Sequence, residues 1–148
     1  MPKQLKFSYM NYWNVDIKLR DRITELSGDT ATGKTLIYSI IEDYVKENNI
    51  KDIKCLDKDF CSKLGVNAVL DILKTYKDSV VVIDQANAVL RNDGIKDYIS
   101  YDFDSNNHYL LIGRSLPTTS RYTEMAKPDI NGRNVSIKYN ITPAVEGM

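Results

Sequence analysis

Residues 28–35 read Gly28-Asp29-Thr30-Ala31-Thr32-Gly33-Lys34-Thr35, and they set how the rest of the chain is read. They satisfy G-x-x-x-x-G-K-[ST] at every specified position. Each specified residue has a chemical reason. The glycines let the backbone turn so that successive N–H groups face inward as an anion nest. A bulky side chain at Gly33 would hold the backbone away from a phosphate. Lys34 brings a point charge to the β- and γ-phosphate oxygens, and the Thr35 hydroxyl is a ligand for Mg²⁺. A helix starting here adds the positive end of its dipole. Thr30, Ala31 and Thr32 complete the candidate cradle. Asp29 is the odd member, because a carboxylate there faces polyphosphate unless it turns outward. Its expected role is a turn-stabilising acceptor of a backbone N–H.

The surroundings fit the motif. Ile23, Thr24, Glu25 and Leu26 alternate weakly, as the end of a strand would. Leu36, Ile37, Ile40, Ile41, Tyr44 and Val45 form a helical stripe, which predicts a helix from about Lys34 to Lys46. Val80, Val81, Val82 and Ile83 form an unbroken β-branched run ending at Asp84, as suits a strand covered on both faces. The competing explanation is a Gly-rich turn before an ordinary helix, plus a core strand that happens to end in Asp. The order of the elements makes it the poorer one.

With these two motifs the chain resembles the P-loop NTPases, residues 28–35 standing as Walker A and Val80–Asp84 as Walker B. The likeness in element order runs from about Val15 to Ser115 and is nearest the AAA, RecA-like and ABC branch. It implies an α/β, three-layer fold with a mostly parallel sheet and helices on both faces. It implies that Lys34 and Thr35 bind the phosphates and metal of ATP, and that Asp84 holds Mg²⁺ through a water. In that branch a strand between those of Walker A and Walker B carries a polar sensor, and Arg114 and Ser115 fall there. Neither an ABC-type signature loop nor a helical lid is present in the sequence.

The residue after Asp84 is Gln85, where many of these ATPases place Glu. An amide can orient a water but cannot take its proton at neutral pH, so slow hydrolysis is expected. Arg114 either stabilises charge on a transferring phosphoryl group or is a solvated side chain; for Arg121 the solvated reading is the better one. The candidate catalytic set is therefore Lys34, Asp84, Gln85 and Arg114. No Asn-Lys-x-Asp guanine reader occurs, which favours ATP over GTP. Two alternatives stay open. One is a phosphotransferase with an acceptor near Arg114–Arg121, and the other is a nucleotide-binding or interaction module without turnover.

The length of 148 residues fits one domain, 1–148. Twenty basic and twenty acidic residues balance, so charge gives no support for nucleic acid as a partner. A protein partner or self-association is expected instead, since no effector region accompanies the motifs. Cys55 and Cys61 suggest neither a disulfide framework nor a zinc site, and His108 is the sole histidine. With no apolar leader or spanning stretch, a cytoplasmic protein is expected.

Leu5, Phe7 and Tyr9, then Val15, Ile17 and Leu19, alternate as two strands of an antiparallel hairpin leading into the Walker A strand. In the ABC family an upstream aromatic stacks on adenine. Tyr9, Tyr12 and Trp13 are candidates, although packing on the hairpin is the simpler role. A short strand at Ile50–Leu56 precedes a helical stripe that Gly65 is expected to divide, with Asp59 as N-cap. Asp93 is the expected cap of a further helix carrying Ile95, Tyr98 and Ile99. Tyr109–Ile112 reads as a strand with His108 at the surface before it. Val135, Ile137, Tyr139 and Ile141 predict one last strand, at the sheet edge.

Overall fold

The structure is a computed structural model that describes residues 3–28, 33–114 and 123–140. Among these, strands β1 (Lys3–Tyr9), β2 (Trp13–Leu19), β3 (Ile23–Leu26), β4 (Ile53–Leu56), β5 (Val80–Ile83), β6 (His108–Ile112), β7 (Glu124–Asn131) and β8 (Asn134–Tyr139) form one sheet. Its order is β1-β2-β8-β7-β3-β6-β5-β4. Five helices accompany it: α1 (Lys34–Asn48), α2 (Lys58–Leu64), α3 (Val66–Thr75), α4 (Ala86–Val89) and α5 (Asp93–Ser100).

This corrects the expected three-layer, mostly parallel fold. The sheet is mixed and curls into a half-barrel, with antiparallel pairs and short helices. Two causes are visible. First, the C-terminal segment makes two strands where one was expected. β7 and β8 pair antiparallel and lie in the middle of the sheet, between the β1–β2 hairpin and β3. The β1–β2 hairpin is antiparallel and precedes β3 in the chain, as expected, but it is not β3's neighbour in the sheet, and β8 is not at the edge. Second, the sheet wraps around α1. Leu5 and Val15 of the hairpin, Val135 of β8, Ala126 of β7, Leu26 of β3 and Val80 of β5 share one core with Ile37, Ile40 and Ile41. Accumulated right-handed twist lets an open sheet of eight strands curl partway around one helix in this way.

A second core lies on the other face, but only over β3, β6, β5 and β4. It joins Val81, Ile83, Tyr109 and Leu111 to Val69 and Leu73 of α3, Ala86 and Val89 of α4, and Ile95 and Ile99 of α5. β5 and β6 are buried along their whole length because they contribute to both cores. β6 lies between β3 and β5, and each of these pairs is parallel.

The helix caps differ from the expected ones. Asp57, not Asp59, caps α2 by accepting the Phe60 N–H (2.8 Å), and Asn92, not Asp93, caps α5 through the Ile95 N–H (3.1 Å). Gly65 does divide α2 from α3, at φ +86, a conformation that disfavours any side chain. His108 is buried within β6 instead of lying at the surface.

Candidate functional site

The C-terminal ends of β3, β5 and β6 meet the N-terminus of α1 at one place. β3 ends at Leu26, whose carbonyl accepts from the Gly113 N–H (3.1 Å) just past β6. Gly33 begins α1 in a left-handed conformation (φ +96), and its carbonyl accepts the Ile37 N–H (3.0 Å). A Cβ at Gly33 would overlap Ile130 Cδ1 of β7. Lys34 is buried, and its Nζ donates to the Gly28 carbonyl, tying the two ends of the loop together. Asp29, Thr30, Ala31 and Thr32 lie outside the described residues, as do Ser115, Arg121 and Ile141.

Asp84 follows β5 and donates its N–H to Leu56 O (2.8 Å), which fixes the chain where the strand ends. Burial pushes its carboxyl above the usual aspartate range. Asp57 and Glu42 add to the rise, while the Gln85 backbone N–H and Lys34 oppose it. Gln85 is exposed and adopts φ 51 and ψ 44, a left-handed conformation uncommon for a non-glycine residue, as it starts α4. Arg114 is exposed at the end of β6.

These side chains line one open cleft of about 520 Å³. Lys34, Thr35, Asp84, Gln85 and Arg114 all border it. The cleft also has members the sequence reading missed: Lys58 at the start of α2, and Asn87 and Arg91 on α4 and just beyond. Four cations thus face one carboxylate. Among the described residues, Lys58, Arg91 and Arg114 are in no ion pair. No motif marks Lys58 or Arg91. Asn87 and Arg91 stand at i and i+4, a spacing that becomes informative only once α4 is known to lie against the cleft.

The donor set fits a magnesium ion. One hydroxyl, Thr35, and one carboxylate, Asp84, border the cleft together. Mg²⁺ takes one or two protein oxygens and fills its remaining positions with water and phosphate oxygens.

Tyr9, Tyr12 and Trp13 are engaged elsewhere. Tyr9 donates its hydroxyl to Glu47 in the last turn of α1. Glu47 lies thirteen positions beyond Lys34, about 20 Å along the helix axis. Tyr12 packs edge-on against Trp13 (4.7 Å between ring centres), and the Arg133 guanidinium lies 4.8 Å from the Tyr12 ring. Tyr9 and Trp13 pack against the core that the hairpin shares, whereas Tyr12 is exposed.

Glu25 on β3 was also missed. It is 6% exposed, and its Oε1 has no hydrogen-bond partner. Burial pushes its carboxyl up to about 7. Among the described residues, no helix is long and apolar enough to cross a membrane. No protein-family model, curated protein or solved structure matches the chain.

Proposed function

We propose that this protein binds Mg·ATP in the cleft at the C-terminal ends of β3, β5 and β6, and hydrolyses it slowly. One observation carries the reading: Lys34, Thr35, Asp84 and Arg114, distant in sequence, border the same cleft, with Lys58 and Arg91 on its other wall. A polyphosphate is the ligand that a cleft with four cations and one carboxylate suits best. Lys34 and the N-terminus of α1 bind the phosphates, and Arg114, Lys58 and Arg91 balance the remaining charge. Thr35 and Asp84 hold the magnesium ion, which neutralises phosphate charge when bound. Gln85 orients water without removing its proton, which keeps turnover low. A second reading, binding without turnover, draws on the same residue. ATP is favoured over GTP because the sequence lacks a guanine reader. We place the protein in the cytoplasm, acting through a protein partner or through self-association.

Calorimetric titration with ATP and with GTP, in Mg²⁺, tests this on the wild type and on Lys34→Ala. Micromolar ATP binding that weakens by about a hundredfold or more in the variant supports the reading, a change of roughly 2.7 kcal/mol. Equal affinity in both proteins would remove it.

A further inference from the structure

One turn of helix, α4, separates the phosphate cleft from a second hollow of about 510 Å³. α4 is anchored from below. Ala86, Val89 and Leu90 are buried, so Ala88 and Arg91 are left on its outer side. Ala88, Arg91 and Lys58 border both cavities. The partition is thus low at a small side chain, with the Arg91 cation just past its C-terminal end and Lys58 of α2 beside both cavities.

The hollow lies in the crook that Gly65 makes between α2 and α3. Lys58, Cys61, Ser62 and Gly65 fall at i, i+3, i+4 and i+7, so one whole face of α2 fronts this space. Val89 and Ile95, both buried, form an apolar wall, and no Asp or Glu among the described residues borders the hollow. An apolar wall beside two cations is a different surface from the phosphate cleft. It exposes less polar surface than the cleft, and it has no counterpart of Asp84.

We propose that this hollow is a second ligand site, for a small organic anion: a compact apolar body carrying one carboxylate or phosphate group. The apolar body lies against Val89 and Ile95, and the charge lies against Lys58 and Arg91. Its volume is in the range of small-molecule sites. The site goes beyond the nucleotide reading: it shares Lys58 and Arg91 with the cleft, so the two ligands would compete for these cations, while the Val89 and Ile95 wall is its own.

The test is an amide chemical-shift titration of the full chain without nucleotide, using phenyl phosphate, benzoate and benzyl alcohol as probes. Saturable shifts at Ser62, Val66 and Val89 with either anion are expected at millimolar concentration, with benzyl alcohol weaker by about fivefold or more. A response to phenyl phosphate alone assigns a phosphate monoester, and a response to both anions assigns organic anions generally. Lys58→Ala combined with Arg91→Ala, two exposed positions, should weaken the anions by about fivefold or more, and Lys34→Ala should leave them unchanged. Three results would overturn the site: no saturable shift there, an equal response to benzyl alcohol, or shifts confined to Thr35, Asp84 and Gln85. If ATP fails to bind while these shifts persist, the nucleotide reading falls and the hollow remains.

Discussion

The two ends of β3, β6 and β5 treat polar side chains in opposite ways. At the N-terminal ends, polar groups are partnered with one another. Arg22 donates to the carbonyls of Ile99 (2.6 Å), Ser100 (2.6 Å) and Asp102 (3.2 Å), closing the last turn of α5. Asp102 accepts from the hydroxyls of Ser105 and Tyr109 (2.6 Å each). Asn107 accepts the Ser79 N–H (2.9 Å) and donates to Tyr76 O (2.9 Å). At the C-terminal ends, Lys58, Arg91 and Arg114 face an open cleft with no ion pair among the described residues. A polar group that is buried and bonded holds a fold together, whereas a charge left facing solvent in a concave site is available to a ligand. The same strands therefore carry a structural end and, on the proposed reading, a chemical end.

The carboxyls make the contrast sharper. Burial alone would raise Asp102, but the hydroxyls of Ser105 and Tyr109, the Ser105 N–H and the nearby Arg22 outweigh it and hold the group below the usual range. Glu25 and Asp84 lack enough such partners, and both are raised.

Four substitutions probe this division, in order of expected size. Gln85→Glu places a general base at the chemical end, and ATP hydrolysis should rise by about a hundredfold. Steady-state phosphate release measures it, and an unchanged rate would show that Gln85 does not limit turnover. At the structural end, Arg22→Ala leaves three carbonyls without their donor. It should cost about 2 kcal/mol in urea unfolding, with ATP affinity unaltered in the folded fraction. A loss of affinity with unchanged stability would reverse the assignment of the two ends.

Gly33→Ala should lower stability by about 1.5 kcal/mol, chiefly through the left-handed backbone, since Ile130 Cδ1 is a side-chain tip able to move. Combining it with Ile130→Val should recover only a small part. Full recovery would show that crowding, not backbone conformation, sets the cost. The smallest effect concerns Glu25. Its folded-state pKa of about 7 lies above its ordinary value, so the folded chain holds this proton more tightly than the unfolded one. Stability therefore falls as pH rises from about 4.5 to 7 and stays lower above that. Glu25→Gln should raise the melting temperature at pH 8 by about 3 °C and leave it unchanged near pH 4.5. An equal rise at both pH values would mean that charge is not the cause.

Part of the cleft's lining was legible in the sequence because its signals are local. Lys34 and Thr35 belong to a motif, and Asp84 and Gln85 follow a β-branched run, that each carry their signal within a few positions, and these four residues border the cleft. The architecture was not legible, because it depends on residues with no pattern. β7 has a single buried residue, Ala126, and contains Pro128. That proline lies past the last position paired with β3, where the strand has a neighbour on one side only, so the missing N–H is tolerated. Nothing in a polar segment with a proline announces a strand, and without β7 the final strand looks like an edge. His108 was misplaced for a related reason. It sits beside the buried Asn107 and Ser105, whose burial follows from the Asp102 network and not from hydrophobicity. Lys58 and Arg91 needed the three-dimensional fold to bring them to the cleft.

The most direct test of the chemical end is an amide chemical-shift map recorded while Mg·ATP is added to the full chain. The account predicts large, saturable shifts at Gly28, Gly33, Lys34, Thr35, Asp84, Gln85, Gly113 and Arg114, with Arg22, Asp102, Ser105 and Asn107 unmoved. Shifts absent from the first group, or centred on the second, would contradict it.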